Sequence, residues 1–185
     1  MRTARPGDLY RIAELESLLF GQMGFSHSAL LQLYGTSGEA WLVAEDLQGV
    51  WGYALTARAM DDPRVGWILA LGVHTERRGE HIGRALLDES IVELRSRDMD
   101  TIKLTVEPDN LAAYGLYIRA GFQDTGQFKK DDIGDGRPRK ILTLLLPTTH
   151  PQSQPEEPAD EQHEEQVPED VAGVRFDLQD RFPWA

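Results

Sequence analysis

The octet Arg77–Arg84 reads Arg-Arg-Gly-Glu-His-Ile-Gly-Arg, a local charge of +2 in a chain of 185 residues with formal net charge −12. From Ile82 to about Arg97 the apolar residues fall at the spacing of an amphipathic helix. A helix start presents unpaired N–H groups and the positive end of the helix dipole, so it favours anions. Gly79 and Gly83 allow the backbone to come close to phosphate oxygens, while Arg78 and Arg84 add charge. The chemistry suited to this stretch is the holding of a phosphate-bearing ligand. Two nucleotide patterns are excluded: no Lys-Ser/Thr follows, as a P-loop requires, and no Gly-x-Gly-x-x-Gly follows the preceding strand. Ordinary turn glycines with solvated arginines fit the same octet, so the surrounding elements must decide.

The stretch "VGWILALGVH" before the octet predicts a long apolar strand, and Gly72 inside it suggests a bulge or a close approach by a ligand. Upstream, "RTAR" predicts a short first strand. Asp8 is a candidate N-cap for a helix carrying Leu9, Ile12, Leu15, Leu18 and Leu19. A second helix, "SHSALLQLYG", is opened by serines and closed by Gly35. Two strand-like runs around Leu47-Gln48-Gly49 predict a hairpin. Downstream come a strand, "TIKLTVE", and a helix, "DNLAAYGLYIRAG", with Asp109 or Asn110 at its cap and Gly121 at its end. "FQDTGQFKK" and "RKILTLLL" predict a closing hairpin. The order β-α-α-β-β-β-α-β-α-β-β implies an α/β chain with one mixed sheet flanked by helices.

In this order, "VHTERRGEHIGRALL" and "NLAAYGLYIRAGF", about thirty residues apart, resemble the GNAT superfamily of acetyl-CoA-dependent N-acetyltransferases. That superfamily carries Q/R-x-x-G-x-G/A after an apolar strand, then an Asn opening a helix that ends in Leu-Tyr and Gly-Phe. The resemblance covers residues 1–147 and implies a mixed, mostly antiparallel sheet flanked by helices. It also implies acetyl-CoA as co-substrate and no metal. The cofactor-binding residues so implied are Leu71 and Val73 on the strand, Arg78, Gly79, Glu80, His81, Ile82, Gly83 and Arg84 in the turn, and Asn110, Ala113 and Tyr117 beyond it. His81 stands where the pattern has its first glycine; its N–H serves the cradle if the residue has helical dihedrals.

The chain has no cysteine and no Ser or Lys in a recognisable nucleophile motif, so direct attack by an amine on the thioester is the simplest mechanism. By resemblance Tyr117 is the group that hydrogen-bonds or protonates the departing thiolate, although Ala113, Leu116, Tyr117 and Ala120 also form one packing face. Glu107 is the candidate base, acting through a water, with His74 as the other candidate. No acidic residue occurs in "VGWILALGV", where many relatives carry a glutamate.

The layout is closest to the branch that acetylates protein N-termini, which includes ribosomal-protein-alanine N-acetyltransferases. Two departures from it are Thr105, where the bacterial enzyme has a glutamate, and Asp132-Ile133, where an aromatic pair precedes Asp-Gly. Asp61, Asp62, Asp131, Asp132 and Asp135 lie in predicted loops and favour a cationic acceptor: a peptide amine, a lysine or a polyamine. A small-molecule amine acetyltransferase and a non-catalytic acyl-CoA-binding module are the alternatives.

Charge is concentrated at the end of the chain. Residues 151–185 carry net −8 and leave 1–150 at −4, a balance that argues against nucleic acid as a partner. Absent cysteine, a signal-like N-terminus and a membrane-length apolar run, the expected setting is the cytoplasm, with no membrane partner. Residues 148–170 combine four prolines, eight acidic residues and no Lys or Arg, the composition of a solvated linker. In 171–185, Val174, Phe176 and Leu178 alternate with charged residues, and this apolar segment is expected to dock in cis or across a homodimer.

Overall fold

The computed structural model describes residues 1–129 and 138–147. The linker 148–170, the segment 171–185 and the loop with Asp131, Asp132, Ile133 and Asp135 lie outside the described residues. The elements run β1 (Arg2–Thr3), α1 (Leu9–Phe20), α2 (His27–Ser37), β2 (Leu42–Asp46), β3 (Gly49–Arg58), β4 (Val65–Val73), α3 (Ile82–Ser96), β5 (Thr101–Val106), α4 (Leu111–Arg119), β6 (Gln123–Lys129) and β7 (Arg139–Leu145). The strands form one sheet in the order β1-β2-β3-β4-β5-β7-β6. Every neighbouring pair is antiparallel except β4–β5, which is parallel. This is the mixed, mostly antiparallel sheet expected from the sequence.

Side-chain alternation along β3 divides the core. Tyr53 and Leu55 face Ile12 and Leu15 of α1 and Leu30 of α2, whereas Ala54 between them packs on Leu86 of α3. Ile102, Leu104 and Val106 of β5 lie with Leu87 and Leu94 of α3 and Tyr117 of α4. So α1 and α2 cover one face of the sheet, and α3 and α4 the other.

Three local expectations are corrected. Asp8 stands at the N-cap position of α1, but its side chain does not cap the helix: it closes a 3-10 turn at Pro6–Asp8, accepting from the Arg5 N–H at 2.7 Å and binding Arg2 through both carboxylate oxygens. The Arg2 guanidinium, with help from the Arg5 amide, holds the Asp8 carboxyl below its usual range. Gly35 does not end α2, which runs on to Ser37; Gly38 follows, with the Tyr34 ring packed where a β-carbon would stand.

The bulge expected at Gly72 is the third correction. The bulge in β4 falls at Leu69, between the pairs Thr56↔Ile68 and Leu55↔Ala70, and Gly72 pairs regularly with Tyr53. A β-carbon on Gly72 would lie 2.7 Å from the Tyr53 ring and hydroxyl. The glycine makes room for an aromatic ring of the core, on the face covered by α1. Tyr53 in turn donates to the buried carboxylate of Glu16 at 2.7 Å, and the other Glu16 oxygen accepts from the Phe25 N–H at 2.9 Å. Burial pushes the Glu16 carboxyl up, against the pull of those two donors.

Candidate active site

The parallel ladder between β4 and β5 is short. It pairs Val65–Ile68 with Thr101–Leu104 and then stops. Beyond it β4 continues to Val73 along β3 alone, and β5 continues to Val106 along β7 alone. The two strands therefore splay, and among the described residues the β5-facing edge of Leu69–Val73 has no neighbouring strand. The bulge at Leu69 sits where the splay begins. An extended ligand with amide groups can add to such an edge as a strand would.

The mouth of α3 lies beside that edge. A β-carbon on Gly83 would meet Val73 Cγ2 at 3.6 Å, Leu71 Cδ2 at 3.8 Å and Leu116 Cδ2 at 3.9 Å. Thus β4, α3 and α4 converge at Gly83, and any longer side chain there would enter the cleft. The N-cap of α3 is His81, with no side-chain cap hydrogen bond. Among the described residues, the amides of 79–84 donate no hydrogen bond within the protein. Gly79 (φ 85°) and His81 (φ 62°) both have left-handed backbone. Two such residues so close together curl the main chain, and curls of this kind gather N–H groups around an anion. His81 thus departs from the helical dihedrals expected of it. It takes the conformation that suits the glycine of the family pattern, because the chain reverses there before entering the helix.

The arginines of the turn divide their work. The Arg78 side chain is exposed and, among the described residues, makes no hydrogen bond or ion pair; its N–H donates to the Thr75 carbonyl at 3.4 Å. Arg84 does not lend its charge to the turn as expected. Its Nε binds both oxygens of Asp88 at 2.9 and 2.8 Å, and its Nη1 donates to the Arg119 carbonyl at 3.1 Å. That guanidinium joins α3 to the C-terminal end of α4, where a cation suits the helix dipole. The i,i+4 spacing of Arg84 and Asp88 was the legible signal for the ion pair alone.

Asn110 caps α4, its side-chain oxygen accepting from the Ala113 N–H at 3.2 Å. Tyr117, on the inner face of α4, is 7% exposed and packs edge-on against Phe122. Burial pushes its phenol up to about 12. Among the described residues its hydroxyl makes no hydrogen bond. Tyr114 is tied elsewhere: its hydroxyl reaches Asp124, and Lys140 lies 5.3 Å from its ring centroid.

The two candidate bases part company. Glu107 follows β5 on the α4 side of the splay and pairs with Arg139 of β7 at 3.3 Å. His74 turns toward β3, its ring edge-on to Trp51 at 5.2 Å and its Nδ1 accepting from the Glu76 N–H at 3.3 Å. Asp61 and Asp62 lie on the turn before the paired end of β4, where Asp62 accepts from the Arg64 N–H at 2.9 Å. Among the described residues no cluster of three or more His, Asp or Glu could hold a metal, and no helix is long and apolar enough to cross a membrane.

Comparison with known proteins matches this arrangement of elements. Residues 9–122 match the model of the acetyltransferase (GNAT) family. A mycothiol acetyltransferase of Beutenbergia cavernae is 37% identical over 82 residues, 44% of this chain and 27% of the relative. The corresponding protein of Thermobispora bispora is 41% identical over 66 residues, 36% of this chain and 22% of the relative. The chain spans about a quarter of the length of these relatives. Among solved structures, Ard1 from Thermoplasma volcanium superposes with a TM-score of 0.71 at 20% identity, covering 78% of this chain and 95% of that one. The ribosomal-protein-S18-alanine N-acetyltransferase of Escherichia coli gives 0.69 at 20% identity, covering 83% and 96%. These structural likenesses concern the fold, and the family match runs from α1 through α4, across the splayed strands and the uncapped turn: the chain belongs to the acetyltransferase (GNAT) family.

Proposed function

We propose that this protein is an acetyl-CoA-dependent N-acetyltransferase that acetylates a primary amine, with a protein N-terminus or a lysine as the favoured acceptor. The observation that carries the reading is the convergence at Gly83 of an unpaired strand edge, an uncapped helix mouth and the inner face of α4. In this reading the amides of 79–84 hold the pyrophosphate, the Leu71–Val73 edge pairs with the pantetheine arm, and Asn110 and Ala113 border the thioester. The neutral amine attacks the thioester carbon in a ternary complex; the C–N bond forms, the C–S bond breaks, and Tyr117 hydrogen-bonds the departing thiolate and passes it a proton, which the phenol recovers from solvent. Glu107, beside Arg139, takes the proton from the amine through a water.

The layout shared with N-terminal acetyltransferases supports a peptide acceptor. A small-molecule amine is the second reading, favoured by the mycothiol acetyltransferases among the relatives.

A thermal-shift titration tests the donor site. Acetyl-CoA should raise the melting temperature, as any ligand selective for the native state does. Gly83→Asp should abolish the rise, because it places a side chain and a negative charge in the cleft. No shift for wild type at millimolar acetyl-CoA would sink the reading. An acetylation screen over peptides, lysine and polyamines then chooses between the acceptors.

A further inference from the structure

We propose that Asp46 and Arg77 are positioning residues for the cofactor turn: together they clamp it to the β2–β3 hairpin, and the clamp sets the affinity for acetyl-CoA. The proposal rests on the donor site described under the proposed function, and neither residue belongs to the cradle itself.

The turn needs such a device. None of residues 75–81 is buried, so no apolar side chain anchors it, and Gly79 and His81 hold left-handed backbone. A cradle that ordered only on binding would lose affinity to the entropy of ordering, whereas a preformed one does not.

The contacts are specific. Asp46, the last residue of β2, accepts from the Trp51 indole N–H and the Gln48 N–H through Oδ1, both at 2.8 Å. That leaves Oδ2 for Arg77 Nη1 at 2.9 Å. The Arg77 Nε donates to Glu80 of the turn at 3.0 Å, and its guanidinium carbon stands 5.0 Å from the Trp51 ring centroid. The His74 N–H donates to the Trp51 carbonyl at 2.8 Å, which fixes the start of the turn on the same residue. The clamp thus holds both ends of the segment 74–80. A single exposed ion pair contributes little, but here one guanidinium joins two carboxylates and an indole across elements about thirty residues apart in sequence.

The other way for Arg77 to influence affinity is to touch the cofactor phosphates directly, and the two roles give opposite results in Asp46. Asp46→Asn keeps an oxygen for Trp51 and Gln48 and loses the acceptor for Arg77. Calorimetric Kd values for acetyl-CoA should be measured for wild type, Asp46→Asn, Arg77→Gln and the double variant of the full chain. A clamp predicts a loss of roughly fivefold in each single variant, with the double variant no weaker than either. Amide exchange at Glu76, Arg77 and Arg78, whose N–H groups are hydrogen-bonded within the turn, should quicken in both single variants when read without ligand, at an unchanged melting temperature. If Asp46→Asn binds as tightly as wild type or more tightly while Arg77→Gln binds weakly, the clamp is overturned and Arg77 is a direct phosphate contact. Unchanged exchange in both variants overturns it as well. Failure of wild type to bind acetyl-CoA defeats the donor-site reading instead, and the ligand-free exchange still decides whether the clamp exists.

Discussion

Tyr117 packs against Phe122 beneath α4, and its phenol is pushed up to about 12 by burial. A raised phenol pKa keeps the proton on through the neutral and mildly alkaline range, so the proposed donor hydroxyl is present across the pH range of an acetylation assay. The basic limb of a pH–rate profile below about 10 must then come from another group. Tyr117→Phe removes only the hydroxyl. Acetyl-CoA affinity should hold while kcat falls, typically ~10²–10⁴-fold for a lost proton donor. A kcat equal to wild type, measured at saturating acetyl-CoA, would return Tyr117 to a packing role. Its position on α4 was readable from the Leu-Tyr motif, and so were the cap at Asn110 and the turn around Gly79. The commitments of Arg84 to Arg119 and of Glu107 to Arg139 were not. They join residues 35 and 32 positions apart, and no local pattern records such pairs.

At the scale of elements, the junction of α1, β3 and β4 turns on one missing methyl group. Gly72 has no β-carbon because the Tyr53 ring fills that place at 2.7 Å, and the ring hydroxyl is held by Glu16. Gly72→Ala should therefore destabilise the fold by about 1–3 kcal/mol, the usual range for overpacking a close-packed core. Denaturant unfolding would measure it, and a loss under about 0.5 kcal/mol, the scatter of ordinary surface changes, would mean that the ring moves aside freely. Tyr53→Phe should not rescue the variant, since the ring carbons are themselves as close as the hydroxyl. The strands and helices were legible because their apolar spacing follows the backbone period. The reason for Gly72 was not, because it depends on a side chain from the neighbouring strand. Asp8 misled for a different reason: it stands at the N-cap position, but its carboxylate serves the 3-10 turn and a pair with Arg2, six residues before it, instead of the helix amides.

For the whole molecule, the chain divides into two units, Met1–Thr149 and His150–Ala185, and every element of the proposed donor site lies between Val65 and Arg119 of the first. A chain ending at residue 147 should therefore keep the acetyl-CoA thermal shift of the full protein. Loss of the shift on truncation would show that the acidic end of the chain takes part in donor binding. The donor elements run consecutively as β4, α3, β5 and α4, so a recombination event or a designer could transplant them into another sheet as one cassette. Such a graft, cut at Val65 and Arg119, would leave Asp46 and Trp51 behind in the old host. A recipient lacking an acid and an indole at the matching hairpin positions would receive the cradle without its fastening, and its donor affinity would depend on its own hairpin.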